Sequence, residues 1–353
     1  MSHPLIELAA GREVRQSAAF RDAAAGLTGE LLRTSYEGEK ANAPRLSDAG
    51  RQYFAKRSGK PAAERRKTRD IEHLGGALVR HCSERGEGLP LPDEAGTLDL
   101  LDYHVRAKPG RSDEPETKGI SRFDALGLVD GNRLAVVHMR YLEPGATRCS
   151  VGDTPLRVLL EGLAYTAIAS ANRTEMAQEA AERFGREIGD AEPALVMLAS
   201  GRYWELCRKR STQKGAAWIK ELVRLRGEIE SEIGVTVHYL SLRLQGDPGW
   251  TYDEQGPILE GVPLLTDSWE PGADRLKPKP KPRPRHLTPA QQAIEADMSR
   301  PVRSYAFTEL YSAGDRIEHP VLGEGVVQGV AGPGKIRVRF PEKQSVLVHG
   351  RPA

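Results

Sequence analysis

The chain has 353 residues, 39% of them hydrophobic and 28% charged, with 51 Lys and Arg against 49 Asp and Glu for a net charge of +2. Such a length suits about two or three small domains with some polar linker. The near-neutral balance excludes a protein held to nucleic acid by bulk charge, so any such contact must come from local basic clusters.

Cys82, Cys149 and Cys207 are widely spaced and form no C-x-x-C pair. That argues against a disulfide scaffold or a zinc knuckle and fits a reducing compartment. The opening "MSHPLIELAAGREVRQ" lacks signal architecture, and no run approaches the roughly 18 apolar residues of a membrane span. The expectation is a cytoplasmic protein.

In chain order, the first sixty or so residues look helical and polar, with breaks at Gly26–Gly29 and Asn42–Pro44. The stretch "KRSGKPAAERRKTR" (Lys56–Arg69) carries seven basic residues against one acid. It reads either as a solvated basic face or as a phosphate-contacting patch centred on Arg65, Arg66 and Lys67. It runs into a helix on which Ile71, Leu74, Leu78 and Val79 share a face. After a loop over residues 86–96, "LDLLDYHVRA" is a candidate strand.

"RFDALGLVDGNRLAVVHMR" (Arg122–Arg140) predicts a hairpin: strand Phe123–Leu128, turn Asp130–Gly131–Asn132, strand Leu134–Tyr141. "TPLRVLLEGLAYTAIASANR" predicts an amphipathic helix capped by Thr154 with Pro155 at its first position. A further helix is expected over Thr174–Ile188, a buried strand at "PALVMLAS", a charged helix at about Gln213–Ile233 and a strand at "VTVHYLSLRLQ". "RYWELCRKR" is ambiguous. The β–β–α–β–α–β order implies a mixed sheet covered by helices.

"KPKPKPRPRHLTP" (Lys277–Pro289) is an extended, proline-rich basic linker. It is either a spacer or a non-specific nucleic-acid contact through Lys277, Lys279, Lys281, Arg283 and Arg285. "LTPAQQAIEADM" predicts a short capped helix. Beyond Tyr305, short alternating strands with glycine turns predict a separate small β-barrel.

The hairpin, the helix "LLEGLAYTA" and the strand "PALVMLAS" together resemble the PD-(D/E)XK nuclease superfamily, particularly its RecB-like branch. The resemblance covers roughly Asp70–Gln245 and implies phosphodiester hydrolysis with Mg²⁺ or Mn²⁺ held by carboxylates. Asp124 matches the first metal ligand. Alternation puts Leu134, Val136, His138 and Arg140 on one face, so His138 and Arg140 fall where the family carries Glu and Lys. Glu161 and Tyr165, one helical turn apart, match the branch's Q-x-x-x-Y motif with Glu for Gln. Glu72 matches the acid that some members supply from their first helix.

These departures put catalysis in doubt. A neutral imidazole is a poor ligand for a hard ion, and an arginine stays protonated and cannot act as a base. Arg140 could instead clamp a phosphate. Rescue would need Glu143 or Glu72 as the missing carboxylate, or Mn²⁺ with His138.

The last segment resembles the Tudor-like, SH3-like module of superfamily-one DNA repair helicases and the polymerase-interacting domain of CarD-type regulators. It does so through Gly314–Asp315–Arg316, His319–Pro320, Gly323–Glu324–Gly325 and Val338–Arg339–Phe340. Such modules dock partners, here RNA polymerase or a DNA-processing complex; the alternative is a stabilising appendage.

The sequence thus predicts an α/β protein with a mixed β-sheet flanked by helices, restriction-endonuclease-like, and a small carboxy-terminal barrel. The boundaries are 1–69 helical and basic, 70–272 α/β, 273–303 linker and short helix, and 304–353 barrel. The functional expectation is a DNA-associated protein with a non-cleaving nuclease-like domain, in repair or antiviral defence. The alternatives are an active metal-dependent DNase, or a structural subunit of a larger repair or defence assembly.

Overall fold

The computed structural model describes residues 3–57, 59–92, 96–110, 117, 119–210, 217–268 and 293–351. The chain separates into two units, Met1–Leu276 and Lys277–Ala353.

The first unit opens with four helices, α1 (Pro4–Ala10), α2 (Arg12–Arg15), α3 (Phe20–Gly26) and α4 (Gly29–Ala41). The breaks fall where expected. Thr28 caps α4 by accepting from the Leu31 amide (3.3 Å), and Asn42 ends it. Helix α5 (Asp70–Arg85) follows and buries Leu74, Ala77 and Leu78, with Ile71 and Val79 half-covered beside them.

Next come β1 (Leu89–Pro90), β2 (Thr97–Arg106), β3 (Arg122–Val129) and β4 (Arg133–Arg140). Asp130 (φ 53°) and Gly131 (φ 86°) both take the left-handed backbone that a D-G hairpin tip requires. Helices α6 (Pro155–Ala171) and α7 (Arg173–Phe184) lead to β5 (Ala194–Ser200), α8 (Gly201–Arg210) and α9 (Ala217–Ile233). The ambiguous "RYWELCRKR" is therefore helical. Strands β6 (Val237–Arg243), β7 (Trp250–Asp253), β8 (Gly256–Leu259) and β9 (Leu264–Asp267) complete the unit.

The main sheet runs β1-β2-β3-β4-β5-β6-β9, with β4, β5 and β6 parallel and the other pairings antiparallel. This is the mixed sheet flanked by helices that the element order implies. Strand β5 is buried on both faces, which explains its unbroken apolar run. Leu195 and Met197 join a core with α1–α4, α6, α8 and α9, while Val196 and Leu198 meet α5 and Trp250 on the other side.

Helix α6 differs from the expected amphipathic pattern. Only Arg157, Glu161, Ser170 and Ala171 along it are not buried. One side lies on β4 and β5, and α1 and α4 cover the other. A helix enclosed on nearly all sides has no polar face to keep.

No described helix is long and apolar enough to cross a membrane.

The second unit is a five-stranded, nearly closed, barrel-like sheet. Its strands are β10 (Arg303–Ser304), β11 (Arg316–His319), β12 (Gly323–Gly332), β13 (Lys335–Arg339) and β14 (Gln344–Val348), paired in that order. The alternating Ile336, Val338 and Phe340 fill its core with Tyr311, Ile317 and Val327. A Cβ on Gly325 would stand 2.6 Å from the Phe340 ring, so the core closes only because that position has no side chain. Of the helix expected over "LTPAQQAIEADM", residues 293–297 carry no regular structure and the earlier part lies outside the described residues. The linker cations Lys277, Lys279, Lys281, Arg283 and Arg285 also lie outside them.

Candidate functional site

The β3–β4 ladder is regular from Val129↔Arg133 to Ala125↔Val137. Beyond that point the next acceptor is a side chain: Asp124 Oδ2 takes the Met139 amide (2.7 Å). The same oxygen lies 3.0 Å from His138 Nδ1. Asp124, near the start of an interior strand, thus caps the ladder with its carboxylate.

His138 is almost fully buried, its ring stacked on Tyr165 at 5.9 Å between centroids. Its Nε2 has no hydrogen-bond partner of good geometry, and the nearest carboxylate oxygen, Glu161 Oε2, stands 3.5 Å away. Burial and Arg140 push the imidazole pKa down, but the flanking Asp124 and Glu161 outweigh them and raise it. Burial likewise pushes Asp124 up, and His138, Arg140 and the Met139 amide hold it below the usual carboxylate range.

Arg140 is committed internally. Its Nε donates to Asp153 (2.9 Å), Nη1 to the Met139 carbonyl (2.8 Å) and Nη2 to Glu161 (2.7 Å), leaving its side chain 16% exposed. Glu161 also receives Arg157 (2.8 Å). Burial raises the Glu161 carboxyl, but His138, Arg140 and Arg157 bring it down to about 2. Tyr165 Oη accepts the Ser121 amide (3.0 Å), and burial lifts its phenol to about 12. All five motif positions, Asp124, His138, Arg140, Glu161 and Tyr165, therefore meet in one linked cluster.

Asp124 also lines an open cleft of about 1200 Å³, larger than the roughly 300–1,000 Å³ of a small-molecule pocket. Its lining comes from the segments 52–57 and 59–62, from the start of α5 and the ends of β2 and β3, and from Tyr141, Gln255 and Pro257. Seven described lining residues are Lys or Arg (Lys56, Arg57, Lys60, Lys67, Arg69, Arg106, Arg122) against four carboxylates (Asp70, Glu72, Asp102, Asp124). Glu72 is 3.6 Å from His104 Nε2 and 3.9 Å from Arg69.

His104 falls between the pairs Tyr103↔Ala125 and Val105↔Phe123, alongside Asp124. Its φ of 49° is strained for a non-glycine residue. Burial, with Arg122 and Arg57, pushes its imidazole below the usual value despite Glu72.

The basic patch divides. Arg65 grips Asp70 through two bonds (3.0 and 2.9 Å) and Glu143 through a third (2.8 Å). Lys67 meets Glu143 at 3.2 Å yet stays 74% exposed, and Arg66 is exposed. Glu143 is thereby engaged by two cations.

A Mg²⁺ or Mn²⁺ ion needs several oxygens free to converge on it. Among the described residues no three His, Cys, Asp or Glu side chains are placed to hold one. Asp124 Oδ2 already accepts two groups, and Glu161 faces two guanidiniums. Internal partners thus engage Asp124 Oδ2 and both Glu161 oxygens.

Arg57 belongs to the basic stretch that stands out in the sequence, whereas sequence reading missed His104, Arg106 and Arg122 as cleft residues. A signal existed for one of them: Arg122 stands two places before Asp124, so period-two alternation puts both on one face of β3. No family model, curated protein or solved structure matches the chain, so its chemistry rests on this geometry alone.

Proposed function

We propose that the cleft binds the backbone of nucleic acid without cutting it, in a domain that is nuclease-like in pattern and non-cleaving in chemistry. The observation carrying this reading is the internal neutralisation of the motif: Asp124 by His138 and the Met139 amide, Glu161 by Arg140 and Arg157. Arg140 then acts as a structural tie, and phosphate contact falls to the cations lining the cleft, Lys67 among them, with exposed Arg66 next to it in sequence. Exposed lysines and arginines around a groove release counterions when phosphates replace them, the dominant electrostatic source of such affinity. The barrel serves as a docking module for a protein partner, such as RNA polymerase or a DNA-processing complex. Met298, Leu310, Val321 and Val330, each more than 70% exposed on that unit, offer apolar side chains for contact.

The active-nuclease reading keeps one point in its favour, since Glu72 and Asp124 line the same cleft. Plasmid and linear DNA incubated with Mg²⁺ or Mn²⁺ decide between them. The expected result is no cleavage by the native protein, with DNA binding that weakens steeply as salt rises. Metal-dependent cutting that disappears in Asp124→Ala would overturn the non-cleaving reading.

A further inference from the structure

Arg106 and Arg122 are direct partners across the β2–β3 ladder. Like charges so placed repel and cost stability unless an anion lies between them. Neither forms an ion pair among the described residues, and Arg122 donates only to the His104 carbonyl (3.2 Å). Burial, and Arg106 beside it, push the Arg122 guanidinium below its usual value; Arg57 and Arg69 act the same way, and Glu72 opposes them. Arg57 is paired with Asp102 (2.6 Å), so these four guanidiniums face two carboxylates, Asp102 and Glu72, a local excess of two positive charges. All six residues line the cleft.

A backbone phosphodiester carries one negative charge, whereas a phosphomonoester at neutral pH carries nearly two and offers three acceptor oxygens. Arginine forks match that geometry through paired hydrogen bonds. We propose that the Arg106–Arg122 pair, supported by Arg57 and Arg69, is a subsite for a phosphomonoester, specifically the phosphorylated end of a nucleic-acid strand lying in the cleft. This rests on the nucleic-acid reading above and adds to it a preference for ends over internal backbone. The segments 52–57 and 59–62, the start of α5 and the ends of β2 and β3 line the same cleft of about 1200 Å³ as this pair.

The test uses the full chain and one internally labelled single-stranded oligonucleotide in three forms: 5′-phosphate, 3′-phosphate, or hydroxyl at both ends. Fluorescence anisotropy at fixed salt should show a phosphorylated form binding about tenfold tighter than the hydroxyl form. In Arg106→Gln/Arg122→Gln that preference should vanish while hydroxyl-ended affinity falls less. Without ligand the variant should melt no lower than the native protein, because a repulsive pair has been removed; a merely structural pair would melt lower. Deoxyadenosine monophosphate, a free phosphomonoester, is compared in parallel by thermal shift.

Equal binding of all three forms by the native protein overturns the subsite while leaving backbone binding intact. A thermal shift with the nucleotide but no oligonucleotide binding assigns the subsite to a free phosphomonoester and overturns the strand-end reading together with the nucleic-acid function. No response to any probe overturns both.

Discussion

Replacing Glu161 by glutamine removes one negative charge from a cluster holding Arg140, Arg157 and His138 and leaves its shape nearly unchanged. Burial works against the carboxylate there, and the three cationic neighbours still hold it at about 2. Measured from an ordinary glutamate near 4.3, at about 1.4 kcal/mol per pH unit, the folded state favours the ionised form by about 3 kcal/mol. At 17% exposure the side chain is covered enough for that figure to survive solvent screening as an order of magnitude.

The sign follows from a lowered pKa in the folded state. The contribution is complete above the unfolded value, near pH 4–5, and is lost as pH falls towards 2. Glu161→Gln should therefore lose about 3 kcal/mol at pH 7 and only about 1 kcal/mol near pH 3. Urea unfolding followed by tryptophan fluorescence is suited to the measurement, since all four tryptophans precede residue 277 and report the first unit alone. A gap below about 1 kcal/mol at pH 7, or one that does not narrow in acid, would refute the neutralised-cluster argument.

Three further outcomes are expected. The His138 imidazole should titrate above an ordinary histidine by NMR. Its contribution is complete below about pH 6.5 and disappears as pH rises through the folded value, so the gap to His138→Gln should shrink towards alkaline pH. Gly127→Ala should cost about 3 kcal/mol in urea unfolding, because its Cβ would stand 2.4 Å from the Asp99 carbonyl oxygen, a backbone atom with no room to move. Lys56→Gln and Lys60→Gln should each flatten the log–log salt dependence of DNA binding by about 0.7–0.9 for every phosphate the lysine neutralises; an unchanged slope in both would remove these lysines from the interface.

Local signals made much of the fold legible. Asp130–Gly131 forces a hairpin, Thr154–Pro155 starts a helix, and the alternation of Ile336, Val338 and Phe340 marks a strand in the barrel core. Each works over a few residues, where backbone geometry and side-chain period dominate. What was hidden depends on distant packing. The pattern of α6 reads as a helix, but nothing nearby shows that α1 and α4 cover its outer side. The motif residues could be placed on their strands, yet their state could not. That Arg140 is tied to Asp153 and Glu161 follows from how the β4–α6 connection returns over the sheet. The facing of Arg106 and Arg122 depends on a register shift between Leu100 and Asp102, an irregularity with no sequence signature of its own.

The enclosure of α6 also bears on how the protein can be dissected and made. Leu156, Leu159, Leu160 and Leu163 share a core with Leu5, Leu32 and Tyr36, and the cap residue Thr154 donates its hydroxyl to the Val14 carbonyl (2.5 Å). A fragment starting at Asp70 would turn that leucine surface to water, at about 1.5–3 kcal/mol for each side chain fully uncovered, and would self-associate through it. During synthesis, α1–α4 leave the ribosome long before α6 exists to receive them. The amino-terminal helices therefore cannot bury the faces they share with α6 until that helix has been synthesised.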